Sequence, residues 1–357
     1  MHQILRFKYF TNLKMALRSK ILTLMSKILN TDEIIDVLEK QNVKYVNPVS
    51  KKPSFRASPY SSRPNLNEYG QQIRSVVFVT ARFRTGSTLI WNILRSNKEN
   101  TVFYEPLHPN LSNLASMVDA PVDDTHTDID SYWDEYALIE NIDELYKTRW
   151  HDSSLYMDEE SYDPDLVRYI DTVINSTDKT VIFQFNRVDF RLRWLRKYFK
   201  NAKILHLYRN PRDQWLSTLK DSKGLISNSI LATDFIVHDK FFLLMWCKDL
   251  APKFPFLTYQ PDRYAYDLFY LLWRLSYIYG QSDADYSICF EDLVNEPVEI
   301  FSNITTQFDL KPVSADELVK INKNIINKSN KIIDIEWIKQ REEICEKQLS
   351  LFFEHEA

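Results

Sequence analysis

The chain has 357 residues and a formal net charge of −4 at pH 7, which gives no indication of a nucleic-acid partner. Hydrophobic residues make up 44% of it, enough for a sizeable core, but only four residues are glycine, where average usage predicts roughly 25. Because these four lie far apart, the sequence excludes a dinucleotide-binding fingerprint, a Walker A loop and a serine nucleophile elbow, which all need glycines at short, fixed spacings.

Residues 1–70 are predicted to form an arm outside the main domain. Apolar residues at helical spacing indicate an amphipathic helix there: Leu17, Ile21, Leu24, Met25, Ile28 and Leu29. We favour a helix packed on the body of the protein, with weak contact to a membrane surface or to a partner as the alternative. The apolar stretch is too short for a transmembrane span, and the three cysteines match no metal or redox spacing. We therefore expect a cytoplasmic protein.

The main domain, residues 71–357, opens with a strand, a short polar loop and a helix. Residues 75–80 are a β-branched apolar run of strand length, and residues 89–94 are predicted to be helical. Strand, tight loop and helix in this order are the opening unit of a parallel α/β sheet.

Later segments continue this alternation. Strands are predicted at 180–185, 202–208 and 286–290, helices at 191–199 and 263–279, and further charged helices at the C-terminus. The predicted fold class is α/β, a doubly wound parallel sheet flanked by helices. The acidic residues at about 118–165 are predicted to be an insertion over one face of the sheet. Within them, residues 123–130 lack the glycine and terminal glutamate of an EF-hand, so no metal site is expected.

The loop between the first strand and the first helix has the residue types of an anion site: Arg84, Thr85, Gly86, Ser87 and Thr88. The N-terminus of a helix presents unpaired backbone N–H groups and the positive end of the helix dipole. The hydroxyls add donors, Gly86 allows a ligand to approach the backbone, and Arg84 supplies a planar charge. The alternative is a turn at Gly86 with Thr85 or Ser87 serving only as the helix cap.

A second candidate anion site follows the strand at residues 202–208. Arg209 ends that strand, at the edge of the sheet where α/β proteins bind ligands. Asn210-Pro211 indicates a helix start, and Ser217 lies about two helical turns further on, placed to return to the same edge. An arginine and a hydroxyl together can bind a dianion. The alternative for Arg209 is a surface salt bridge to Asp213.

These two sites resemble those of the sulfotransferases that use 3′-phosphoadenosine 5′-phosphosulfate (PAPS), a family with a P-loop-like fold. Residues 84–88 resemble its 5′-phosphosulfate loop, and residues 207–217 resemble its 3′-phosphate motif. Residues 103–108, Phe-Tyr-Glu-Pro-Leu-His, are similar to an element of the carbohydrate sulfotransferase branch, and residues 290–294 to a late element of the family. The resemblance favours a soluble, bacterial-type form of that branch.

The resemblance implies transfer of a sulfuryl group from PAPS to an acceptor hydroxyl on a small molecule or, as the carbohydrate branch suggests, on a glycan. Arg84 would stabilise charge on the leaving phosphate. Glu105 is the first candidate for the base that takes the acceptor's proton, and His108 is the second. No metal is implied. Three aromatic residues are candidates for stacking on sugar rings or for structural roles: Trp133, Tyr136 and Trp150.

The late Arg-Lys-Gly element of cytosolic animal enzymes, which completes their 3′-phosphate site, is not visible in this sequence. Arg187 is the candidate to supply some of that charge to the nucleotide, with a salt bridge as its alternative. Two other functions stay open: a P-loop-like kinase that uses ATP at the same loop, although the P-loop lysine is absent, and a catalytically inactive nucleotide-binding scaffold. The oligomeric state does not follow from these residues.

Overall fold

The computed structural model of this protein describes Lys20 and residues 75–116, 131–137, 139–221, 224–225, 227–319, 321 and 334–356. The chain divides into two units, residues 1–63 and 64–357, and every described residue except Lys20 belongs to the second. The predicted amphipathic helix and arm therefore lie outside the described residues apart from Lys20, and they stay predictions. The acidic cluster at 123–130 also lies outside them.

A five-stranded parallel sheet is the centre of the described fold. Its strands are β1 (Val76–Ala81), β2 (Asn100–Tyr104), β3 (Thr180–Phe185), β4 (Lys203–Tyr208) and β7 (Tyr286–Cys289), in the order β2-β3-β1-β4-β7. Two short strands, β5 (Lys220–Asp221) and β6 (Gly224–Leu225), form a separate antiparallel pair. Because the five long strands run the same way, the loops after them meet at one edge of the sheet.

Helices flank the sheet. They are α1 (Ser87–Arg95), α2 (Ile142–Leu145), α3 (Arg149–Asp152), α4 (Pro164–Ile174), α5 (Leu192–Tyr198), α6 (Pro211–Leu219), α7 (Ala232–Phe235), α8 (Leu243–Leu250), α9 (Ala265–Asp283), α10 (Phe290–Asn295), α11 (Pro297–Gln307), α12 (Ala315–Val319) and α13 (Ile335–Glu356). Short 3₁₀ segments occur at Pro109–Ser116, Ile236–His238 and Pro255–Leu257. None of the helices in the described part of the chain has both the length and the apolar character needed to cross a membrane.

The central strand, β1, is fixed between two neighbours by its apolar side chains. All six of its residues are buried, and Phe78 lies opposite Phe183 of β3 and Ile204 of β4. A strand covered on both faces needs a continuous apolar sequence, and Val-Val-Phe-Val-Thr-Ala is close to one. The amphipathic helix α1 then packs its apolar side on the sheet, where Trp91 Nε1 donates to the carbonyl of Val102 at 2.9 Å.

The predicted α/β class is confirmed, and the boundaries of its elements are close to those expected. The strand predicted at 180–185 has these bounds, two others differ by one residue at one end, and the strand predicted at 75–80 is shifted by one residue to Val76–Ala81. The helix predicted at 263–279 begins two residues later and continues to Asp283. Strand β2 was not predicted, because its apolar core, Thr101-Val102-Phe103, is too short to indicate a strand by its pattern alone.

The C-terminal helix α13 is attached to the domain by charged side chains. Glu342 accepts two hydrogen bonds from the guanidinium of Arg212 in α6, at 3.0 and 2.6 Å. Glu346 accepts from Arg274 Nε in α9 at 2.7 Å. The helix is therefore tied to α6 and α9, which flank the end of β4 and the loop after it.

Gly280 of α9 packs against the ring of His206 in β4, and a Cβ at this position would lie far inside van der Waals contact with that ring. His206 is in the core, as expected from its apolar strand, and its Nδ1 shares a hydrogen bond with Ser287 Oγ at 2.5 Å. We expect Gly280→Ala to lower the free energy of unfolding by about 1–3 kcal/mol through overpacking, measured by urea denaturation. Gln281→Ala, at the exposed next position, is the control, and equal stability of the two variants would contradict the prediction.

Candidate active site

The loop between β1 and α1 turns sharply at the carboxyl edge of the sheet. Gly86 has a φ of +91° and precedes α1, which no side chain caps. Arg84 has a φ of +68°, in a region that residues with a Cβ rarely adopt. The hydroxyl of Thr85 donates to the carbonyl of Arg82 at 2.7 Å and so closes the turn. Neither Thr85 nor Ser87 is therefore the cap of this helix, whose N-cap is Gly86 itself, the residue that makes the turn.

The ring of Phe290, the first residue of α10, lies against the backbone of Gly86. A Cβ on Gly86 would overlap this ring, so the position requires glycine both for its positive φ and for space. The guanidinium carbon of Arg209 lies 4.8 Å from the centroid of the same ring. Phe290 thus packs against both the β1–α1 loop and the arginine after β4.

The two candidate anion sites are in direct contact. Arg84 Nε donates to Ser217 Oγ at 2.9 Å, and Arg209 Nη1 donates to the carbonyl of Arg84 at 3.1 Å. Gln214 of α6 adds a hydrogen bond from its Nε2 to the carbonyl of Phe83 at 2.7 Å. The β1–α1 loop and α6 therefore form one surface rather than two separate sites.

The late element at residues 290–294 also reaches this surface. Glu291 Oε1 lies 3.8 Å from Arg209 Nε and accepts a hydrogen bond from the backbone N–H of Asn210 at 3.2 Å. The acidic neighbour of Arg209 is thus Glu291, whereas the sequence had indicated Asp213 as the alternative partner. This carboxylate offsets part of the charge of Arg209 and holds the start of α6.

Glu105 is buried in an ion pair with Arg187. Arg187 Nη1 donates to its Oε2, and Asn186 Nδ2 donates to its Oε1 at 2.5 Å. The Arg187 guanidinium also lies over the ring of Phe83, 4.9 Å from the centroid. The predicted salt-bridge alternative for Arg187 is therefore what the structure contains, next to the β1–α1 loop.

Three buried tyrosines hold the backbone on both sides of Glu105. The hydroxyls of Tyr136, Tyr169 and Tyr146 donate to the carbonyls of Tyr104, Pro106 and Leu107 at 2.9, 2.7 and 3.0 Å respectively. These bonds support a positive φ of +38° at Glu105, which carries a Cβ. Three residues that the sequence left open between sugar stacking and a structural role are buried in the core: Trp133, Tyr136 and Trp150.

His108 lies beside the same pair, and its burial lowers the pKa of the imidazole to about 4. Its Nδ1 accepts a hydrogen bond from the backbone N–H of Asn110 at 3.2 Å. A neutral imidazole that accepts at Nδ1 has its proton on Nε2, so the free nitrogen of His108 is a donor. Trp133 packs on the ring, 5.2 Å between centroids.

The sequence analysis missed a buried polar network under the loop. Asp189 accepts hydrogen bonds from Thr80 Oγ1 at 2.6 Å and Ser276 Oγ at 2.8 Å, and it lies 3.5 Å from Arg82 Nη1. It joins the ends of β1 and β3 to α9. A threonine in an otherwise apolar strand, Thr80, was the available signal, but its partner is 109 residues away.

Residues 76–238 match the sequence profile of the sulfotransferase family. Among solved structures, the chain is similar to a sulfotransferase from Alicyclobacillus acidocaldarius, with 12% identity, a TM-score of 0.38 and coverage of 82% of this chain and 96% of that one. It is also similar to the sulfotransferase domain from the curacin biosynthetic pathway, with 12% identity, a TM-score of 0.44 and coverage of 78% of this chain and 99% of that one. A sulfotransferase from Mycobacterium avium is similar too, with 12% identity, a TM-score of 0.42 and coverage of 82% of this chain and 79% of that one. A search of curated proteins gave no match. The matched range of this chain, residues 76–238, includes the β1–α1 loop, Glu105, Arg187, Arg209 and Ser217.

Replacement of Gly86 tests its contact with the ring of Phe290. Gly86→Ala forces an alanine into a φ of +91° and a Cβ into the Phe290 ring, and we expect a loss of about 2–4 kcal/mol in the free energy of unfolding. The double variant Gly86→Ala/Phe290→Ala removes the overlap but not the backbone strain, so its loss should be smaller than the sum of the two single losses. Simple additivity of the two single effects would show that the ring and the glycine are not in contact.

The low pKa of His108 has a consequence for stability against pH. An unfolded histidine takes up its proton near pH 6.5, whereas the folded His108 does so only at about pH 4, so the unfolded state binds more protons between these values. Stability should therefore fall as the pH decreases from 6.5 to 4, and less steeply in His108→Gln. An NMR titration of the ring checks the cause directly, and a midpoint near pH 6.5 would contradict it.

Proposed function

We propose that this protein transfers a sulfuryl group from PAPS to an acceptor hydroxyl. One observation carries the proposal: the hydrogen bond from Arg84 to Ser217 joins the uncapped N-terminus of α1 to the arginine-bearing segment after β4. PAPS carries a phosphosulfate at one end and a separate 3′-phosphate at the other, and a surface with two adjoining anion sites suits it. The match of residues 76–238 to the sulfotransferase family supports the same chemistry.

The side chain of Arg209 supports a phosphate at the second site. Its Nε is buried without a hydrogen-bond partner in the described part of the chain. Burial lowers the pKa of its guanidinium, which means that its charge is only partly solvated or paired. A multiply charged anion would supply the missing acceptor. In the proposed complex Arg209 and Ser217 bind the 3′-phosphate, and residues 84–88 bind the phosphosulfate.

In the proposed reaction the acceptor oxygen attacks sulfur as the bond between sulfur and the 5′-phosphate oxygen breaks. Adenosine 3′,5′-bisphosphate leaves, and the acceptor's proton passes to a base. Negative charge grows on the leaving phosphate, where Arg84 and the N–H groups at the start of α1 would stabilise it. Fixed geometry matters here, because in-line transfer depends on positioning.

Glu105 is our first choice for the base. Both of its oxygens already accept hydrogen bonds, from Asn186 and Arg187, so it must exchange one of these bonds for the acceptor hydroxyl. His108 is the second candidate. Its Nδ1 accepts from the backbone N–H of Asn110, so its Nε2 carries the proton and cannot accept another one from the acceptor. Arg187 would then act by pairing with this carboxylate and orienting it rather than by binding nucleotide.

A carbohydrate or glycan hydroxyl is the proposed acceptor, because residues 103–108 resemble the element of the carbohydrate branch. The cytoplasm is the proposed location. It is supported by the three cysteines, Cys247, Cys289 and Cys345, all of which are free thiols.

Comparison of two nucleotides tests the function. Adenosine 3′,5′-bisphosphate should raise the melting temperature, whereas ATP with magnesium at the same concentration should have little effect. A kinase is the competing interpretation, and it would need an acidic residue near the loop to hold magnesium. Asp189, the acidic residue next to the loop, instead accepts hydrogen bonds from Thr80 and Ser276. Release of the bisphosphate from PAPS in the presence of a panel of sugars would then exclude an inactive scaffold. Preferential stabilisation by ATP would overturn the proposal.

Arg209→Ala should reduce the affinity for adenosine 3′,5′-bisphosphate by about 10- to 100-fold, the loss of a charge-assisted hydrogen bond. Affinity for adenosine 5′-monophosphate, which lacks the 3′-phosphate, should change by less than about threefold, as measured by calorimetry. Arg168→Ala, which removes an exposed arginine of α4, is the control for the change in net charge. An equal loss of affinity for both nucleotides would show that Arg209 does not bind the 3′-phosphate.

Glu105→Gln keeps the volume of the side chain and an oxygen for Asn186 but removes the base. We expect kcat to fall by about 100- to 10,000-fold, while the affinity for adenosine 3′,5′-bisphosphate stays nearly unchanged. Because the change also leaves Arg187 without its buried counter-charge, urea denaturation must accompany the assay. A folded variant that retains more than about a tenth of kcat would show that another group is the base.

A further inference from the structure

Two residues with a left-handed backbone contact Arg187, and a third belongs to the adjacent β1–α1 loop. Of the six residues other than glycine with positive φ in the described ranges, Arg84 and Glu105 belong to the site already described. Phe242, with a φ of +61°, is the third. Its ring centroid lies 5.6 Å from the Arg187 guanidinium, whose Nη1 also contacts Glu105. Such a conformation is rare for a bulky residue and tends to occur at functional sites.

The rings of Phe83, Phe241 and Phe242, here called the aromatic wall, stand beside these groups. Phe83 contacts both of the others, with centroids 5.5 Å from Phe241 and 6.2 Å from Phe242. Phe241 lies near Arg84, 5.8 Å from its guanidinium carbon to the ring centroid. All three rings are half-buried, so each keeps part of its surface in contact with solvent. The wall therefore extends from Arg84 to Arg187, the partner of Glu105.

The chain holds the segment that carries this wall in a fixed shape. Asp239 accepts hydrogen bonds from the backbone N–H groups of Leu243 and Leu244 at 2.9 and 2.8 Å, so it caps α8 just after Phe242. Trp246, one turn further on, packs under Phe83 with centroids 5.5 Å apart. The two half-buried rings of Phe241 and Phe242 are thus presented by a turn that hydrogen bonds hold in place.

The two arginines beside the wall are engaged by other groups in the proposed complex. Arg187 is paired with Glu105, and Arg84, which donates to Ser217, would face the phosphosulfate of the donor. A charged or strongly polar ligand group would therefore find no complementary charge on the three phenyl rings, whereas an uncharged apolar or aromatic group would gain contact area and ring stacking.

We propose that the aromatic wall binds an apolar group of the acceptor, attached close to the hydroxyl that is sulfated. The inference rests on the proposed function and narrows its acceptor class from carbohydrates in general to glycosides with an apolar, preferably aromatic, aglycone. Phe241 and Phe242 would determine this specificity, because one lies near Arg84 and the other near the arginine that pairs with Glu105.

Matched pairs of acceptors test the proposal. The probes are phenyl and methyl β-glycosides of glucose, galactose and N-acetylglucosamine, added to the protein saturated with adenosine 3′,5′-bisphosphate for calorimetry, and with PAPS for turnover. We expect at least one phenyl glycoside to bind about tenfold more tightly than its methyl counterpart and to show a similar preference in kcat/KM. Phe241→Ala should reduce this preference to about twofold or less. Phe353→Ala, which shortens a half-buried phenylalanine of α13, should leave it unchanged.

The outcomes separate this inference from the proposed function. If the bisphosphate stabilises the protein but phenyl and methyl glycosides bind equally, or neither binds, the acceptor inference fails and the proposed donor site stands. If Phe241→Ala weakens both glycosides by the same factor, the ring has a general structural role and the inference also fails. If the bisphosphate itself does not bind, the proposed function fails first.

Discussion

The close approach of the Phe290 ring to the backbone of Gly86 is the contact on which the rest of the site depends. The ring packs against the β1–α1 loop at Gly86, and the guanidinium carbon of Arg209 lies 4.8 Å from the ring centroid. Arg209 in turn bonds the carbonyl of Arg84, whose side chain reaches Ser217. Segments that follow three different strands are thereby arranged around one residue that has no side chain. The scarcity of glycine in this chain makes the requirement at Gly86 conspicuous.

Buried charge is the second constraint, and the protein satisfies it with paired groups. Glu105 and Arg187 neutralise each other, and Asp189 is surrounded by hydroxyls and Arg82. A buried carboxylate without such partners would be costly. The acidic region that the sequence marked as an insertion contributes to this arrangement, because two of its tyrosines help to fix the backbone around Glu105. The described part of this region therefore helps to support the site.

The fold could be predicted because it follows from local pattern: apolar runs such as Val76–Ala81 and helix starts such as Asn210-Pro211 act within a few residues. The β1–α1 loop and Arg209 could be named for the same reason. The residues that contact them across the fold could not be predicted. The sequence pattern does not indicate that Phe290 lies on Gly86 or that Arg187 faces Glu105, because these contacts join distant segments. The aromatic wall was missed because three phenylalanines resemble core residues until their exposure is known.

The separation of Gly86 and Phe290 along the chain also determines how long the β1–α1 loop lacks its supporting ring during synthesis. On the ribosome, the β1–α1 loop emerges about 200 residues before the ring that supports it, and at roughly 5–20 residues per second this is a delay of at least about 10 s. During that interval β1, a fully buried strand in the finished protein, has neither Phe290 nor β7 beside its partner β4. An apolar strand and an unsupported turn therefore precede their final support in the nascent chain, and transiently exposed apolar surface of this kind makes folding intermediates prone to aggregate.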